Sequence, residues 1–194
     1  MHRSLLRLAA TAILTACASH SHLPPDLADR LATTPEEQSA RLRIDATGIA
    51  VLALPIRAVE LPPAARTGVE AVAPQGTVTF IGREWHAHGT GFRVDKRYEV
   101  EGTEHTRSVL VDAAGQVLER IHSVPIAEVP EAVLATAARF GPAVERIEIV
   151  AGARHEDHWR CLVADRSGRH FVVRTDLQGN LLDCRRRLPA QLDG

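Results

Sequence analysis

Two short histidine clusters are the first residues in this sequence that could do chemistry. His86 and His88 flank Ala87, so in an extended segment their imidazoles project from the same face, while His155 and His158 flank Glu156 and Asp157. Zinc or copper needs three or four such ligands converging at about 2.0 to 2.3 Å. Neither cluster offers that within one rigid element, so a metal site requires the fold to bring the two clusters together. We expect exposed hairpin residues here, with a metal-binding protein that uses these four histidines as the alternative.

The other chemistry-bearing residues do not form a catalytic pattern. The serines do not lie in Gly-x-Ser-x-Gly, and Cys161 lies inside a predicted strand with no histidine spaced to act as its base. Gly89-Thr90-Gly91 lacks the third glycine and the helix of a dinucleotide-binding loop. We therefore expect no catalytic residues, no cofactor and a protein that is not an enzyme.

The N-terminus has the pattern of an export signal. A basic start with Arg3 and Arg7 precedes an apolar run too short to span a membrane, and small residues lead to Cys17. Leu14-Thr15-Ala16-Cys17 resembles the lipobox of bacterial lipoproteins, in which the cysteine is lipidated and becomes the new N-terminus. We predict a signal peptide over residues 1–16, lipidation of Cys17, and a tether over residues 17–40.

The predicted localisation is the bacterial cell envelope, where the lipid on Cys17 would attach the protein to the membrane as a partner. In lipoproteins of this kind, Ala18 after the cysteine favours the outer membrane, facing the periplasm. An oxidising compartment makes a disulfide between Cys161 and Cys184 the default expectation. The strand layout opposes it, because one strand would lie between them and place their Cα atoms about 10 Å apart.

The composition is that of a globular protein without a nucleic-acid partner. The chain has 194 residues, of which 45% are hydrophobic and 24% charged, and its net charge is −1. This balance lacks the basic surface that nucleic-acid binding needs. A chain of this length forms one ordinary domain or two small ones.

A repeated turn organises the rest of the sequence. Asp-x-x-Gly between alternating apolar runs occurs at Asp45, Asp112 and Asp176, and each hairpin is followed by a proline. Gly48 and Gly115 are 67 residues apart, and Gly115 and Gly179 are 64 residues apart. We predict an α+β protein with two tandem units, residues 41–124 and 125–194, each with one or two short helices packed on a four-stranded antiparallel sheet.

Helix and strand signals support this unit. Pro130, Glu131 and Gly141-Pro142 delimit a helix in the second unit, and a weaker helix is predicted from Pro62 to Ala73. Two strands with alternating apolar residues are predicted after each helix, at 77–85 and 91–100 in the first unit and at 144–150 and 158–164 in the second.

The order of a proline-flanked helix, three strands, an Asp-x-x-Gly turn and a fourth strand resembles the PepSY-like family, which has the fold of the secreted inhibitors of β-lactamase. The resemblance is carried by Val124-Pro125-Ile126, Val129 to Val133, and the strands from Val144 to Leu182. It implies a periplasmic or lipid-anchored protein that binds or inhibits other proteins, with no catalytic positions to carry over.

The function we expect is non-enzymatic binding of another envelope protein or peptide, including inhibition. The face of the sheet without helices, or the groove between the units, would be the surface. Trp85 and Trp159 are the candidate binding residues, because tryptophan is enriched among interface anchors, although core packing explains most tryptophans.

Overall fold

The computed structural model describes residues 40–45, 48–86, 89–153 and 155–187, together with Pro25, Asp26 and Asp29. The predicted signal peptide over 1–16, the lipidation site Cys17, most of the tether over 17–40, and His88 lie outside the described residues. None of the described helices is long and apolar enough to cross a membrane.

The strands form one antiparallel sheet in which each pairs with the next along the chain. Their alternating apolar and polar residues fit a sheet with two different faces. The ten strands are β1 (Arg41–Asp45), β2 (Gly48–Pro55), β3 (Thr77–His86), β4 (Gly89–Val100), β5 (Thr103–Val111), β6 (Val117–Ser123), β7 (Ala143–Gly152), β8 (His155–Ala164), β9 (His170–Thr175) and β10 (Leu181–Arg187).

The sheet is continuous, which differs from the predicted pair of four-stranded sheets. β6 pairs with β7 from Glu119 opposite Gly152 to Ser123 opposite Glu148, so hydrogen bonds run across the predicted boundary at residues 124 and 125. The first hairpin extends the same sheet, because β2 pairs with β3. The predicted order of helix followed by four strands is present twice, but all these strands belong to one sheet.

Two short α-helices interrupt the meander at the predicted places. α1 (Pro63–Val72) and α2 (Glu131–Ala138) each follow a proline and a one-turn 3₁₀ helix, Ala58–Glu60 and Ile126–Glu128 respectively. Proline suits these positions because the first helical N–H groups have no partner within the helix.

Both helices pack on the same face of the sheet, each over its own apolar cluster. The cluster under α1 contains Leu61, Ala65, Val69, Ala73, Val94, Val109 and Val111. The cluster under α2 contains Val129, Val133, Ala137, Ile147, Trp159, Cys161, Val163 and Val173. We call this side of the sheet the helix face and the opposite side the open face.

The Asp-x-x-Gly turns at Asp112 and Asp176 have the predicted hydrogen bonds, whereas residues 46 and 47 of the turn predicted at Asp45 lie outside the described residues. The carboxylate of Asp112 accepts the N–H groups of Ala114 and Gln116, both at 2.9 Å, and Asp176 does the same for Gln178 and Asn180. Sequence inspection missed a further such turn at Asp165, whose carboxylate accepts from Ser167 and Arg169. In all three the glycine has a positive φ, a conformation that other residues rarely adopt.

Two of these turns dock on the helices. A Cβ atom on Gly115 would lie 2.3 Å from the carbonyl oxygen of Ala64 in α1, and one on Gly179 would lie 2.6 Å from the carbonyl carbon of Ala132 in α2. Thr136 of α2 also donates to the carbonyl oxygen of Gly179 at 2.7 Å. These glycines therefore let the turn approach the helix backbone, which fixes each helix on the sheet.

Candidate binding surface

The open face carries a network of charged side chains, although neither α1 nor α2 covers it. Side chains alternate across a strand, so the residues between the apolar positions of the helix face point to this side. Glu84, Arg93 and Glu148 are buried here, with 6, 9 and 6% of their surface exposed. Charged residues reach such burial only when they are paired.

Arg93 of β4 is the centre of the first group. Its Nε and one terminal nitrogen donate to the two carboxylate oxygens of Glu84 on β3 at 2.9 and 3.0 Å. A terminal nitrogen also contacts Glu119 on β6 at 2.8 Å, and the other lies 3.3 Å from the hydroxyl of Ser108. One guanidinium therefore links the third, fourth, fifth and sixth strands of the sheet.

The ionisation of this group follows from the pairing. Burial disfavours the charge on Arg93, but the charges and hydrogen bonds of Glu84 and Glu119 outweigh it and raise the pKa of Arg93. Burial likewise opposes ionisation of Glu119, yet Arg93 outweighs it and the pKa of Glu119 is lowered. Arg93 and Glu119 are thus held in their charged forms.

A second group of charges continues the network on the strands of the second half. Glu148 on β7 accepts from Arg160 on β8 at 2.7 Å and contacts Arg146 at 3.3 Å. Arg174 on β9 donates to Asp183 on β10 at 3.0 Å. These pairs orient the arginine side chains along the open face.

The network reaches across the sheet as well as along it. Arg43 on β1 interacts electrostatically with Arg160 on β8 and with Arg185 on β10. These strands are far apart in the order of the sheet, so their side chains approach each other only if the sheet curves around the open face. The open face is therefore concave.

The predicted histidine clusters do not combine in the described structure. His86 lies on β3, whereas His155 and His158 lie on β8, with four strands between them, and His88 is outside the described residues. The rings of His155 and His158 are 5.0 Å apart, and His155 Nε2 lies 3.4 Å from Glu119. No group of three or more His, Cys, Asp or Glu residues in the described ranges is placed to hold a metal ion.

Burial further changes the interpretation of His158. It is a buried residue whose Nδ1 donates to the carbonyl oxygen of Glu156 at 3.0 Å. Burial, with Arg174, His155 and Arg160 nearby, lowers the pKa of His158 despite that hydrogen bond. The residue is neutral at neutral pH and packs in the sheet, where we had expected an exposed hairpin residue.

The two tryptophans are not surface residues. Trp85 on β3 and Trp159 on β8 have 4 and 8% of their surface exposed, and Trp159 belongs to the cluster under α2. Their alternation places both on the helix face. Packing in the interior accounts for both rings, and the prediction that Trp85 and Trp159 anchor an interface stays a prediction.

Cys161 also belongs to the interior. It is buried on β8, and burial raises the pKa of its thiol to about 11, so the nucleophilic thiolate is not formed at neutral pH. Cys184 lies on β10, and both cysteines are opposite Val173 on the intervening β9. Both thiols are free, in agreement with the strand layout expected from the sequence.

A groove of about 270 Å³ opens where β6 ends. It is lined by the first residues of β5, the connection from Ser123 to Ile126, and the first residues of β7. The groove therefore lies at the seam between the two helix-bearing halves, where the sequence had placed a second possible binding surface.

The charged network was missed at the sequence level, although one signal for it exists. Arg93 stands between Phe92 and Val94, and Arg160 stands between Trp159 and Cys161, each at the middle of an alternating strand. An arginine at the polar positions of two core strands indicates a charged sheet face. Its carboxylate partners come from other strands, and pairing them requires the register of the sheet.

Comparison with known proteins gives likenesses in structure only. No protein-family model and no curated sequence matches the chain. A Bacteroides eggerthii protein described as periplasmic aligns with a TM-score of 0.50 and 14% identity, over 64% of this chain and 88% of its own. A DUF2874 family protein from Bacteroides uniformis aligns with a TM-score of 0.50 and 16% identity, over the same shares of the two chains.

A third solved structure is a BLIP-like protein from Bacteroides fragilis, with a TM-score of 0.48 and 17% identity over 69% of this chain and 92% of its own. At these identities the first two likenesses concern the fold. The chain is thus an α+β protein with an antiparallel sheet, and over about two-thirds of its length it shares the fold of solved Bacteroides proteins, one of them described as periplasmic.

Proposed function

We propose that this protein is a lipid-anchored module of the bacterial envelope that binds another envelope protein or peptide through the open face of its sheet, without catalysing a reaction. The observation that carries the proposal is the set of charged residues around Arg93 and Glu148, which are buried and fixed by mutual hydrogen bonds on the face opposite α1 and α2. Side chains held in this way are ordered before a partner arrives.

Recognition of a partner explains the charged network of the open face better than stability does. Replacing a buried ion-pair group by apolar residues of similar volume is often neutral or stabilising, so such a group is weakly explained by stability alone. Charges across an interface select the partner and speed its association. A concave face with fixed positive and negative groups suits a convex protein surface that has complementary charges.

Anchoring is part of the same proposal. The lipobox Leu14-Thr15-Ala16-Cys17 supports lipidation of Cys17 and an outer-membrane position facing the periplasm. The description of one structural relative as periplasmic agrees with this compartment. A tether of about 20 residues would hold the module near the membrane and raise its local concentration there.

We also propose that the two helix-bearing halves, residues 41–124 and 125–194, are copies of one PepSY-like unit. In each half a proline, a 3₁₀ turn and a short helix precede four strands. Each helix packs against the glycine of an Asp-x-x-Gly turn through corresponding alanines, Ala64 and Ala132. A fragment starting at Ser123 would then keep its own cluster and fold alone, which circular dichroism would show.

The experiment for anchoring compares the wild-type protein with Cys17→Ser in cell fractions. Lipidation predicts membrane association for the wild type and an unprocessed or soluble protein for the variant. Equal membrane association of both forms would refute the anchor and leave the binding proposal intact.

The experiment for binding is chemical cross-linking of the tagged, lipidated protein in intact cells, with mass spectrometry of the captured proteins. The test variant is Arg185→Glu with Arg187→Glu, which reverses two exposed charges on the open face of β10. The matched control is Arg66→Glu with Arg139→Glu, two exposed arginines on α1 and at the end of α2. We expect one saturable partner that is lost only in the β10 variant, and loss in both or neither would contradict the assignment to the open face.

A further inference from the structure

The sheet has a gap one strand wide at the end of β6. β6 ends at Ser123, and its pairing with β5 ends at His122 opposite Arg107. β5 begins at Thr103, four residues before Arg107, and so extends past the end of β6. On the other side Ser123 pairs with Glu148, and β7 begins five residues before Glu148, at Ala143. Beyond Ser123, two strands of the sheet therefore flank a space in which none of the described strands lies, and we call this space the strand gap.

The connection that follows β6 does not fill the strand gap. Val124 still donates its N–H to the carbonyl oxygen of Ile147 at 2.9 Å, but Pro125 has no N–H, and Ile126 begins the 3₁₀ turn that leads to α2. The groove of about 270 Å³ lies at this place. Since β5 and β7 both flank β6 at Ser123, they are about 10 Å apart there, which is twice the spacing of neighbouring strands.

The backbone of β5 presents hydrogen-bonding groups to the strand gap. The N–H of Thr106 points toward β6, because it donates to the hydroxyl of Ser123 at 2.8 Å. N–H and C=O directions alternate along an antiparallel strand, so those of Glu104 point the same way. β6 has already ended there, so no residue of β6 lies opposite Glu104.

The side chains around the strand gap differ on its two sides. Val124, Val144 and Ile147 pack with the cluster under α2 and make the helix-face side apolar. On the other side, Glu104 contacts Arg97 at 3.3 Å and Arg146 contacts Glu148 at 3.3 Å. Because these charges are already balanced within the protein, the lining favours an uncharged occupant.

From this geometry we propose that the strand gap binds an extended, uncharged peptide segment of about four residues as an added strand. The segment runs in the direction of β6, antiparallel to both β5 and β7, and alternates apolar residues toward Val124 with polar residues toward Glu104. This is strand addition at a sheet edge, in which main-chain hydrogen bonds give affinity and alternate side chains give selectivity. The proposal deepens the binding function and places a peptide site beside the open face.

The test uses the full chain and a defined probe, the capped peptide acetyl-Thr-Val-Thr-Val-Thr-amide. Binding is followed through the backbone amide signals of ¹⁵N-labelled protein, with a second peptide that is N-methylated at alternate residues as the matched control. We expect saturable shifts at Glu104 and Ile147 with the first peptide, and at least tenfold weaker binding of the N-methylated peptide that cannot donate to β5.

Two variants at one position sharpen the result. Glu104→Pro removes the N–H that faces the strand gap while leaving the side of the strand that pairs with β4, and proline is tolerated in strands at such unpaired positions. Glu104→Ala keeps the N–H and removes the same side chain. We expect about tenfold weaker peptide binding for Glu104→Pro than for Glu104→Ala.

Equal shifts with both peptides, or equal binding by both variants, would overturn the proposal. Shifts confined to the residues around Arg93 would place the peptide on the open face, which refutes the strand gap and leaves the binding function standing. Absence of saturable shifts, together with a partner captured through β10 in cells, would do the same. The peptide control remains decisive if Glu104→Pro does not fold.

Discussion

The two faces of this sheet are built from alternate residues of the same strands and differ in their content of charged residues. On β8, Trp159, Cys161 and Val163 enter the apolar cluster under α2, while Arg160 between them pairs with Glu148 on the open face. On β4, Val94 enters the apolar cluster under α1, while the neighbouring Arg93 pairs with Glu84 on the open face. The helix face explains why the chain folds, since it buries apolar surface. The open face holds buried charged pairs, which are a weaker source of stability than apolar packing.

The largest effect should follow from leaving a charge on the open face without its partner. Arg93→Met removes the guanidinium that pairs with both Glu84 and Glu119 and leaves these two carboxylates without that partner. Breaking a buried pair on one side costs about 3–5 kcal/mol of unfolding free energy. Urea denaturation measures the loss.

Arg97→Met is the matched control for Arg93→Met, because Arg97 lies on the same strand and face but pairs with Glu104 in solvent, with exposures of 54 and 63%. We expect a loss below about 1 kcal/mol there. Combining Arg93→Met with Glu84→Leu and Glu119→Leu should recover most of the stability. A triple variant as unstable as Arg93→Met would show that the network does stabilise the fold.

A smaller effect should follow from separating a turn from its helix. Both Gly179→Ala and Gly168→Ala place an alanine at a positive φ, which strains the backbone. Gly179→Ala also pushes its methyl group against the backbone of Ala132, whereas nothing lies within 4 Å of the Cβ position at Gly168. We expect losses of about 2–4 kcal/mol for Gly179→Ala and about 1–2 kcal/mol for Gly168→Ala. Thermal unfolding of both variants checks the difference, and equal losses would mean that the turn does not dock on α2.

The smallest effect concerns mild acid. Burial lowers the pKa of His158, with Arg174 nearby, and burial with Arg107 and Arg120 lowers that of His122. The unfolded chain therefore binds protons near pH 6.5 that the folded chain does not, and stability should fall as the pH drops below that value. His158→Gln and His122→Gln should each remove part of this slope between pH 7 and 5. A slope unchanged in both variants would contradict the assignment.

Much of the fold could be predicted from the sequence, for local reasons. Pro130 and Gly141 delimit α2, and the turns at Asp112 and Asp176 follow from a carboxylate and a glycine at fixed spacing. Strand alternation identified β4 and β8 to within a few residues. These signals lie within about ten residues of each other, so no tertiary information is needed to find them.

The rest depends on which strands meet. The pairing of β6 with β7 joins the halves into one sheet, and no residue near Pro125 encodes that choice by itself. Glu119 and Arg93 are 26 positions apart and become partners only in the final register. Trp159 is buried because it lies on the side of β8 that faces α2. The alternation of Trp159, Cys161 and Val163 in the sequence already indicated this side.

The most direct test of the central claim is site-specific photo-crosslinking from each face in living cells. A photoreactive amino acid is placed at Leu162 or Val172, which lie partly exposed on the open face, and at Ala71 or Ala135, which lie exposed on the helices. We predict one discrete adduct from Leu162 and Val172 and none from Ala71 and Ala135. Adducts from the helix positions alone would contradict the account and move the binding surface to the other side of the sheet.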